Sequence, residues 1–442
     1  MRIYNSLSNK LETFKPIKEG QISMYVCGPT VYNYQHIGNA RPIVVFDVFK
    51  RFFEYVGYKV KYVSNLTDVD DKIINAAIKE GVLEEDITSK YSEAYFKLID
   101  DLNCNRPDIT PRVTETMSKI ISFIEDLMSS GYAYEVNGDV YFRIDKLEEY
   151  GILSNINKED LLVGSRVETN EDKESPLDFT LWKKTKEGIK WDSSWSRGRP
   201  GWHSECVVMI KDNFNNEKID IHGGGNDLKF PHHENEIAQS RALNNHSIAN
   251  YWIHNGMITI DDEKMSKSLG NLKWAKDLIE EHGGNVIRMV LLSSPYRSPL
   301  NFSKETIDNS KNEVERIIGA LKQAHFKMSI NDFKRNNDFS NELMDEFVGA
   351  LADDLNTPNA LSVTFETVKW LNQAIRGNSL KETNYYYNTL LEQNKVLGLK
   401  YEERVLTKEE RELYFDWQEL IKIKDFINAD RLRQQLMDKG II

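Results

Sequence analysis

Apolar and polar positions follow two different periods along this chain, and the change from one to the other divides it. Ile22 to Val26 is a short apolar run that breaks at Gly28-Pro29, as a buried strand entering a loop does. Arg41 to Tyr55 carries apolar residues at helical spacing and ends near Gly57. Lys59 to Val63 then alternates as a strand, and a further helix is expected from Asp68. This β-α-β rhythm predicts a parallel sheet with working loops at the carboxyl ends of its strands. From about Thr110 to Arg199 the rhythm stops. Gly131-Tyr132, Asn137-Gly138 and the polar run Glu168 to Ser175 mark short, irregular elements, read here as an insertion. The rhythm resumes at Lys218 to Ile221, followed by the glycine run Gly223 to Gly225, a helix expected just after Pro231, and a strand at Tyr251 to Asn255. Beyond Asn301 the pattern is that of charged amphipathic helices, broken at Asn356-Thr357-Pro358, which predicts a bundle.

The expected class is therefore α/β. A parallel-sheet domain in two halves, 1–110 and 200–258, encloses the insertion 111–199. A linking region 259–302, a helical bundle 303–398 and a short terminal segment 399–442 follow. A chain of 442 residues exceeds what one core usually serves, in keeping with several domains. Its 40% hydrophobic and 29% charged residues are those of a globular protein. The polar start, Met1 to Lys10, lacks the apolar core of a signal peptide, and no apolar run is long enough to cross a membrane. Three cysteines are too few for a disulfide framework, so a reducing, cytoplasmic setting is expected. The net charge of -12 argues against coating nucleic acid through the overall field. It leaves room for local basic paths at Lys183, Lys184 and Lys186, at Lys264, Lys267, Lys273 and Lys276, and at Lys422, Lys424, Arg431 and Arg433.

Two segments carry chemistry by position. His36-Ile37-Gly38-Asn39 lies between the first strand and its helix, where backbone N–H groups and a histidine can donate to phosphate. Lys264-Met265-Ser266-Lys267-Ser268-Leu269-Gly270-Asn271 is a glycine-ended loop whose two lysines suit a triphosphate. In this order the pair resembles the "HIGH" and "KMSKS" signatures of the class I aminoacyl-tRNA synthetases, with Asn39 in place of the second histidine. An asparagine amide still donates to phosphate.

A second constellation consists of Cys27, Cys206 in Gly201 to Cys206, and His232 with Glu236 in Phe230 to Glu236. His232 and Glu236, four apart, project from one helical face. Two thiolates, an imidazole and a carboxylate suit tetrahedral zinc, although segments this distant do not have zinc-finger spacing. These segments, together with Met24 to Gly28, Asn65 to Lys72 and Asp220 to Gln239, resemble those of the cysteinyl-tRNA synthetases.

That resemblance implies a Rossmann-like catalytic domain that activates L-cysteine with ATP and passes it to the 3′-terminal ribose of cysteine tRNA. It implies one Zn²⁺ on Cys27, Cys206, His232 and Glu236, which would separate cysteine from serine by sulfur softness. His36, Gly38 and Asn39 are then expected at the ATP phosphates with Mg²⁺, and Lys267, seconded by Lys264, at the transition-state charge. Gly224 and Asp227 are expected near the adenosine, Gly28 and Trp202 around the cysteine, and Cys104 in a structural role. A monomer is expected. The family usually continues past the last helix with an anticodon-binding extension, whereas this sequence stops at Gly440-Ile441-Ile442, so either the gene ends early or anticodon contacts are reduced. Two rivals are a cysteine–amino-sugar ligase of the mycothiol pathway and a non-catalytic RNA-binding paralogue.

Overall fold

The computed structural model describes residues 1–156, 172–215, 218–266 and 269–441. A hairpin, β1 (Arg2–Asn5) and β2 (Lys10–Thr13), precedes the first parallel unit: β3 (Gln21–Val26), α1 (Ile37–Tyr55) and β4 (Lys59–Ser64). Helices α2 (Asp71–Glu80), α3 (Glu84–Asp101) and α4 (Val113–Ser129) follow, then strands β5 (Ala133–Val136), β6 (Asp139–Phe142), β7 (Phe179–Lys184), β8 (Trp191–Asp192) and β9 (Arg197–Pro200). The parallel unit resumes with α5 (Glu205–Phe214), β10 (Ile219–Gly225), α6 (Glu234–Asn244) and β11 (Ala249–Asn255). The strands β12 (Ile258–Ile260) and β13 (Glu263–Lys264), helices α7 (Ala275–His282) and α8 (Gly284–Leu292), and β14 (Leu300–Phe302) lead into the bundle. The bundle comprises α9 (Lys304–Ile330), α10 (Asn341–Leu351), α11 (Thr357–Arg376) and α12 (Leu380–Leu397), and the chain ends in a helical hairpin, α13 (Lys408–Lys422) and α14 (Phe426–Asp438).

The central sheet has the order β11-β10-β3-β4, with every neighbouring pair parallel. From β3 the chain first winds outward to β4, then returns to β3's other side as β10. The crevice between the carboxyl ends of β3 and β10 is thus the topological switch point, where ligands bind in open α/β sheets.

Alternation along the strands sends two sets of side chains to two cores. Met24, Val26, Val60, Ile221 and Ile253 pack in the core with α1, α8 and the bundle. Tyr25, Val63 and Trp252 pack in the other with α4, α5 and α6. The first helix of segment 111–199 is therefore part of the sheet's own packing. Among the described residues, that segment also contributes an antiparallel sheet, β5-β6-β7-β9-β8.

Three local expectations shift. The helix expected at Arg41 begins at Ile37, so Gly38 and Asn39 are its first turn. The glycine run forms the end of β10, since Gly223 to Gly225 pair with Ile253 to Asn255. The helix placed just after Pro231 starts at Glu234. Phe230, before the proline, is extended (φ -139°, ψ 133°) and keeps Lys229–His233 out of a regular helix.

Two buried arginines fix the bundle and the linking strands to α1. Arg41 donates to the carbonyls of Gly256 (2.7 Å), Ser298 (2.7 Å) and Pro295 (3.2 Å). Arg288 on α8 pairs with Asp47 on α1 and donates to Leu397 O (2.6 Å) and Leu102 O (3.0 Å). Cys104 lies in this knot, its sulfur 3.0 Å from Arg288. Removing one partner of such a pair leaves a buried charge alone. Arg288→Met is expected to lower stability by about 3–5 kcal/mol in denaturant titration.

Candidate active site

Two clefts meet at the carboxyl edge of the sheet. One, of about 280 Å³, is lined among others by Cys27, Gly28, His36, Trp202 and Asp227. The other, of about 350 Å³, shares His36, Gly38, Asn39, Gly225 and Asp227, and runs along Asn255 to Thr259 to reach Lys264 and Met265. At the start of α1 the N–H groups of Asn39 and Ala40 return to His36 O (2.9 and 3.3 Å), and the helix dipole favours an anion at this end. Gly224 sits one residue back, buried inside β10. Lys267 lies outside the described residues. Two backbone bonds tie the helix start to the segment after the lysine loop: Ile37 N–H to Lys273 O (2.9 Å) and Ala275 N–H to Gln35 O (3.0 Å).

Behind Cys27 in the wall of the first cleft lies a buried group rich in sulfur and imidazole. Cys27 follows β3, Cys206 lies in the first turn of α5, and His232 and Glu236 flank the start of α6. Cys27 Sγ lies 3.6 Å from Cys206 Sγ and 3.7 Å from Glu236 Oε1. His232 Nε2 lies 3.6 Å from Cys206 Sγ and 2.9 Å from Glu236 Oε1. The four ligand atoms lie within 4.8 Å of one another, and Cys206, His232 and Glu236 are at most 1% exposed. A tetrahedral zinc ion with ordinary bond lengths would set its ligands about 3.3–3.8 Å apart, so three of these spacings fit at once and the fourth needs a few tenths of an ångström.

Cys27, His222, His233 and Glu236 make an overlapping group with one sulfur. The partners around each atom favour the first set. His222 Nε2 holds the other oxygen of Glu236 at 2.5 Å, and His203 Nδ1 meets His232 Nδ1 at 3.2 Å, leaving His232 Nε2 toward the sulfurs. His233 has the same arrangement, Nδ1 against His254 (2.8 Å), which in turn meets Ser6 Oγ (2.9 Å), and Nε2 3.3 Å from Cys27 Sγ, so the preference for the first set rests on its second sulfur and on His222 Nε2 being taken by Glu236. Such outer partners orient ligating groups. The Trp202 ring, 39% exposed, stacks on His232 at 4.1 Å and roofs the group toward the cleft.

The electrostatics are those of a cluster in want of positive charge. A hydrogen bond from the Cys27 thiol brings Cys206 down to about 6, while burial pushes Cys27 up. Burial alone would lower His232, but Glu236 and Cys206 raise it to about 10. Burial opposes ionisation of Glu236, yet His222 and His232 hold it well below the usual carboxylate range. His203 and His254, driven down to about 3 chiefly by burial, stay neutral as outer partners need to be.

Sequence reasoning passed over His203, His222, His233 and His254. The available signal was crowding: six of the chain's nine histidines fall from 203 to 254, and five of them, all but His246, meet at this wall. It also passed over what the glycines do. A Cβ on Gly28 would lie 1.7 Å from Asn65 O, and one on Gly223 would lie 2.1 Å from the Phe46 ring. The first permits β3 to pass close to the loop after β4, where Gly28 N–H donates to Asn65 Oδ1 (2.9 Å). The second lets α1 lie directly on the sheet.

A doubly wound sheet whose switch point carries a histidine helix start and a lysine loop has the catalytic fold of the class I aminoacyl-tRNA synthetases. Residues 13–312 match the family described as "tRNA synthetases class I (C) catalytic domain", and residues 346–402 match "DALR domain". The structure is similar to methionyl-tRNA synthetase of Mycobacterium tuberculosis in complex with methionyl-adenylate (TM-score 0.61, 15% identity, 85% of this chain and 89% of that one). It is likewise similar to LeuRS of Agrobacterium radiobacter K84 in a ternary complex with tRNA (TM-score 0.62, 11% identity, 87% and 85%).

Among sequences, the cysteine–tRNA ligase of Halalkalibacterium halodurans is 47% identical over 452 residues, covering all of this chain and 97% of that protein. Those of Brevibacillus brevis and Acholeplasma laidlawii are each 45% identical, covering all of this chain and 97% and 100% of theirs. The chain belongs to the cysteine–tRNA ligase family.

The close passage at Gly28 generates a prediction. Gly28→Ala should cost about 1–3 kcal/mol of stability, or more, as overpacking against backbone does. Chemical denaturation, with the substituted protein unfolding at lower denaturant concentration, checks it.

Proposed function

We propose that this chain ligates cysteine to the terminal ribose of its tRNA in two steps driven by ATP. The observation that carries the reading is the junction of the clefts: Cys27, with Cys206, His232 and Glu236 buried behind it, stands in one cleft beside a helix start, and a lysine loop suited to phosphates borders the other. Cysteine sits against Cys27 and beneath Trp202, and ATP lies along Gly225, Asp227 and Asn255 to Thr259. Their reacting ends meet at His36. One carboxylate oxygen of cysteine attacks the α-phosphorus, the bond to the β-phosphate oxygen breaks, and pyrophosphate leaves. His36 and Asn39 donate to the phosphates, and Lys264 and Lys267 neutralise the charge gathering on the leaving group. Asp227 accepts from a ribose hydroxyl. These groups act by position and charge, with no protein nucleophile. In the second step the 2′-hydroxyl of the terminal ribose attacks the acyl carbon and AMP departs.

Cys27, Cys206, His232 and Glu236 would hold zinc, with His203 and His222 orienting them. A bound zinc ion supplies a soft Lewis acid that favours a thiolate sulfur over a hydroxyl, the one difference between cysteine and serine. Mg²⁺ enters with the triphosphate. The match to a DALR domain at 346–402, within the helices after β14, supports an RNA partner over an amino sugar, and residues 303–442 would hold the tRNA. Among the described residues no helix is long and apolar enough to cross a membrane, and we place the protein in the cytoplasm as a monomer.

Cysteine-dependent exchange of pyrophosphate into ATP, followed by charging of cysteine tRNA, tests the reading. Both should proceed with cysteine and both should fail with serine at equal concentration. Exchange supported equally by serine would remove the sulfur-selecting wall from the account.

A further inference from the structure

Trp202 owes its place over His232 to the antiparallel sheet of the insertion. It follows β9 directly, and β9 pairs with β7 so that Arg199 faces Lys183. Gly201 N–H donates to Leu181 O (2.7 Å), and a Cβ on Gly201 would lie 1.9 Å from Thr180 O. The backbone one residue before Trp202 is thus pressed against β7, and the indole moves with that sheet. His232, on which it stacks at 4.1 Å, belongs instead to the turn into α6. The stack therefore depends on how the antiparallel sheet is seated against the parallel half.

That seat is a seam along α2 and the start of α3. Asp71, the first residue of α2, takes Arg199 on one carboxylate oxygen and Lys183 on the other (3.2 Å). Farther along, Ile189 N–H donates to Glu84 Oε1 (3.1 Å), and a Cβ on Gly188 would meet the Ile74 side chain at 2.5 Å. The two cations on Asp71 are unequal. The lysine pair is open to water at both ends, and such pairs contribute little. Arg199 is buried, so removing its partner strands a guanidinium out of water. Only its Nη2 bonds to Asp71, while Nη1 is buried without a partner among the described residues. One charge-assisted contact carries the link, through charge and not through the two-pronged fork of the guanidinium.

We infer that Arg199, seated on Asp71, is a positioning residue that holds Trp202 over His232 and so sets how well the first cleft captures cysteine. This rests on the ligase reading above. Arg199 acts from outside the cleft, which Trp202 lines. Lys72, the neighbour of Asp71, also lines it, and a double-mutant cycle with Trp202 separates the two routes.

Cysteine-dependent ATP–pyrophosphate exchange by the full chain tests it, read as the half-saturating concentrations of cysteine and of ATP. Arg199→Met should raise the cysteine value about fivefold, the scale of one lost aromatic contact, and leave the ATP value within about twofold. Arg199→Lys, which keeps the charge and can supply the single contact, should recover most of the loss. In a Trp202→Ala background the same Arg199→Met change should shift the cysteine value less than about twofold, because the residue it positions is gone. An undiminished shift in that background, equal shifts for cysteine and ATP, or no shift from Arg199→Met alone overturns the assignment. Should Arg199→Met fail to fold, Asp71→Asn removes the same contact from its exposed end and decides by the same readings. An unsubstituted chain with no cysteine-dependent exchange would overturn the ligase reading, a result distinct from normal exchange with an unaltered cysteine value.

Discussion

The structure depends on bringing two thiols, an imidazole and a carboxylate together out of water. Cys27 and Cys206 are 179 residues apart in sequence and 3.6 Å apart in space, and the groups between them would repel or go unpaired in most buried surroundings. They come from three parts of the fold. Strand β3 delivers Cys27 to the switch point, α5 delivers Cys206, and the turn into α6 delivers His232 and Glu236. The insertion separates the first from the others along the chain, and the sheet's two-sided packing reunites them. A cation at this place would offset the cost of burying so much latent negative charge, and the proposed zinc ion would supply it.

The neighbouring polar chain holds this geometry. Gly28 N–H donates to Asn65, Asn65 Nδ2 to Thr67 (3.2 Å), and Thr67 Oγ1 to Glu205 (2.9 Å), the residue next to Cys206. Loops after β3 and β4 are thus locked to the start of α5. The Asp47–Arg288 and Arg41 knots do the same for the other side of α1, carrying the bundle and the strands before the lysine loop. The two clefts therefore lie between two hydrogen-bonded frames joined at α1 and meet where that helix begins.

Much of this was legible in the sequence for a physical reason. Strands β3, β4 and β11 alternate or run apolar because both faces of the sheet are covered, and Arg41 to Tyr55 carries a clean helical stripe. The helix start at Ile37 was hidden because Gly38, Asn39 and Pro42 weaken local propensity, while a backbone bond to Lys273 helps fix the turn. The glycine run read as a loop because no side chain announces a strand; its reason is the Phe46 ring across the sheet, which no local pattern contains. The metal-site candidates were visible only through family resemblance, since their spacing is set by tertiary packing. The outer histidines His203, His222, His233 and His254 are single letters in separate segments, and only the fold gives them a common purpose.

The central claim is that the sulfur-rich wall binds a metal through both cysteines and uses it to read a thiol. Loading the protein with Co²⁺ in place of zinc and recording its absorption tests this most directly, because thiolate–cobalt charge transfer reports each sulfur bound. The account predicts a band from the two protein thiolates that grows when L-cysteine is added and does not change with L-serine. No thiolate band on loading, or the same response to both amino acids, would contradict it.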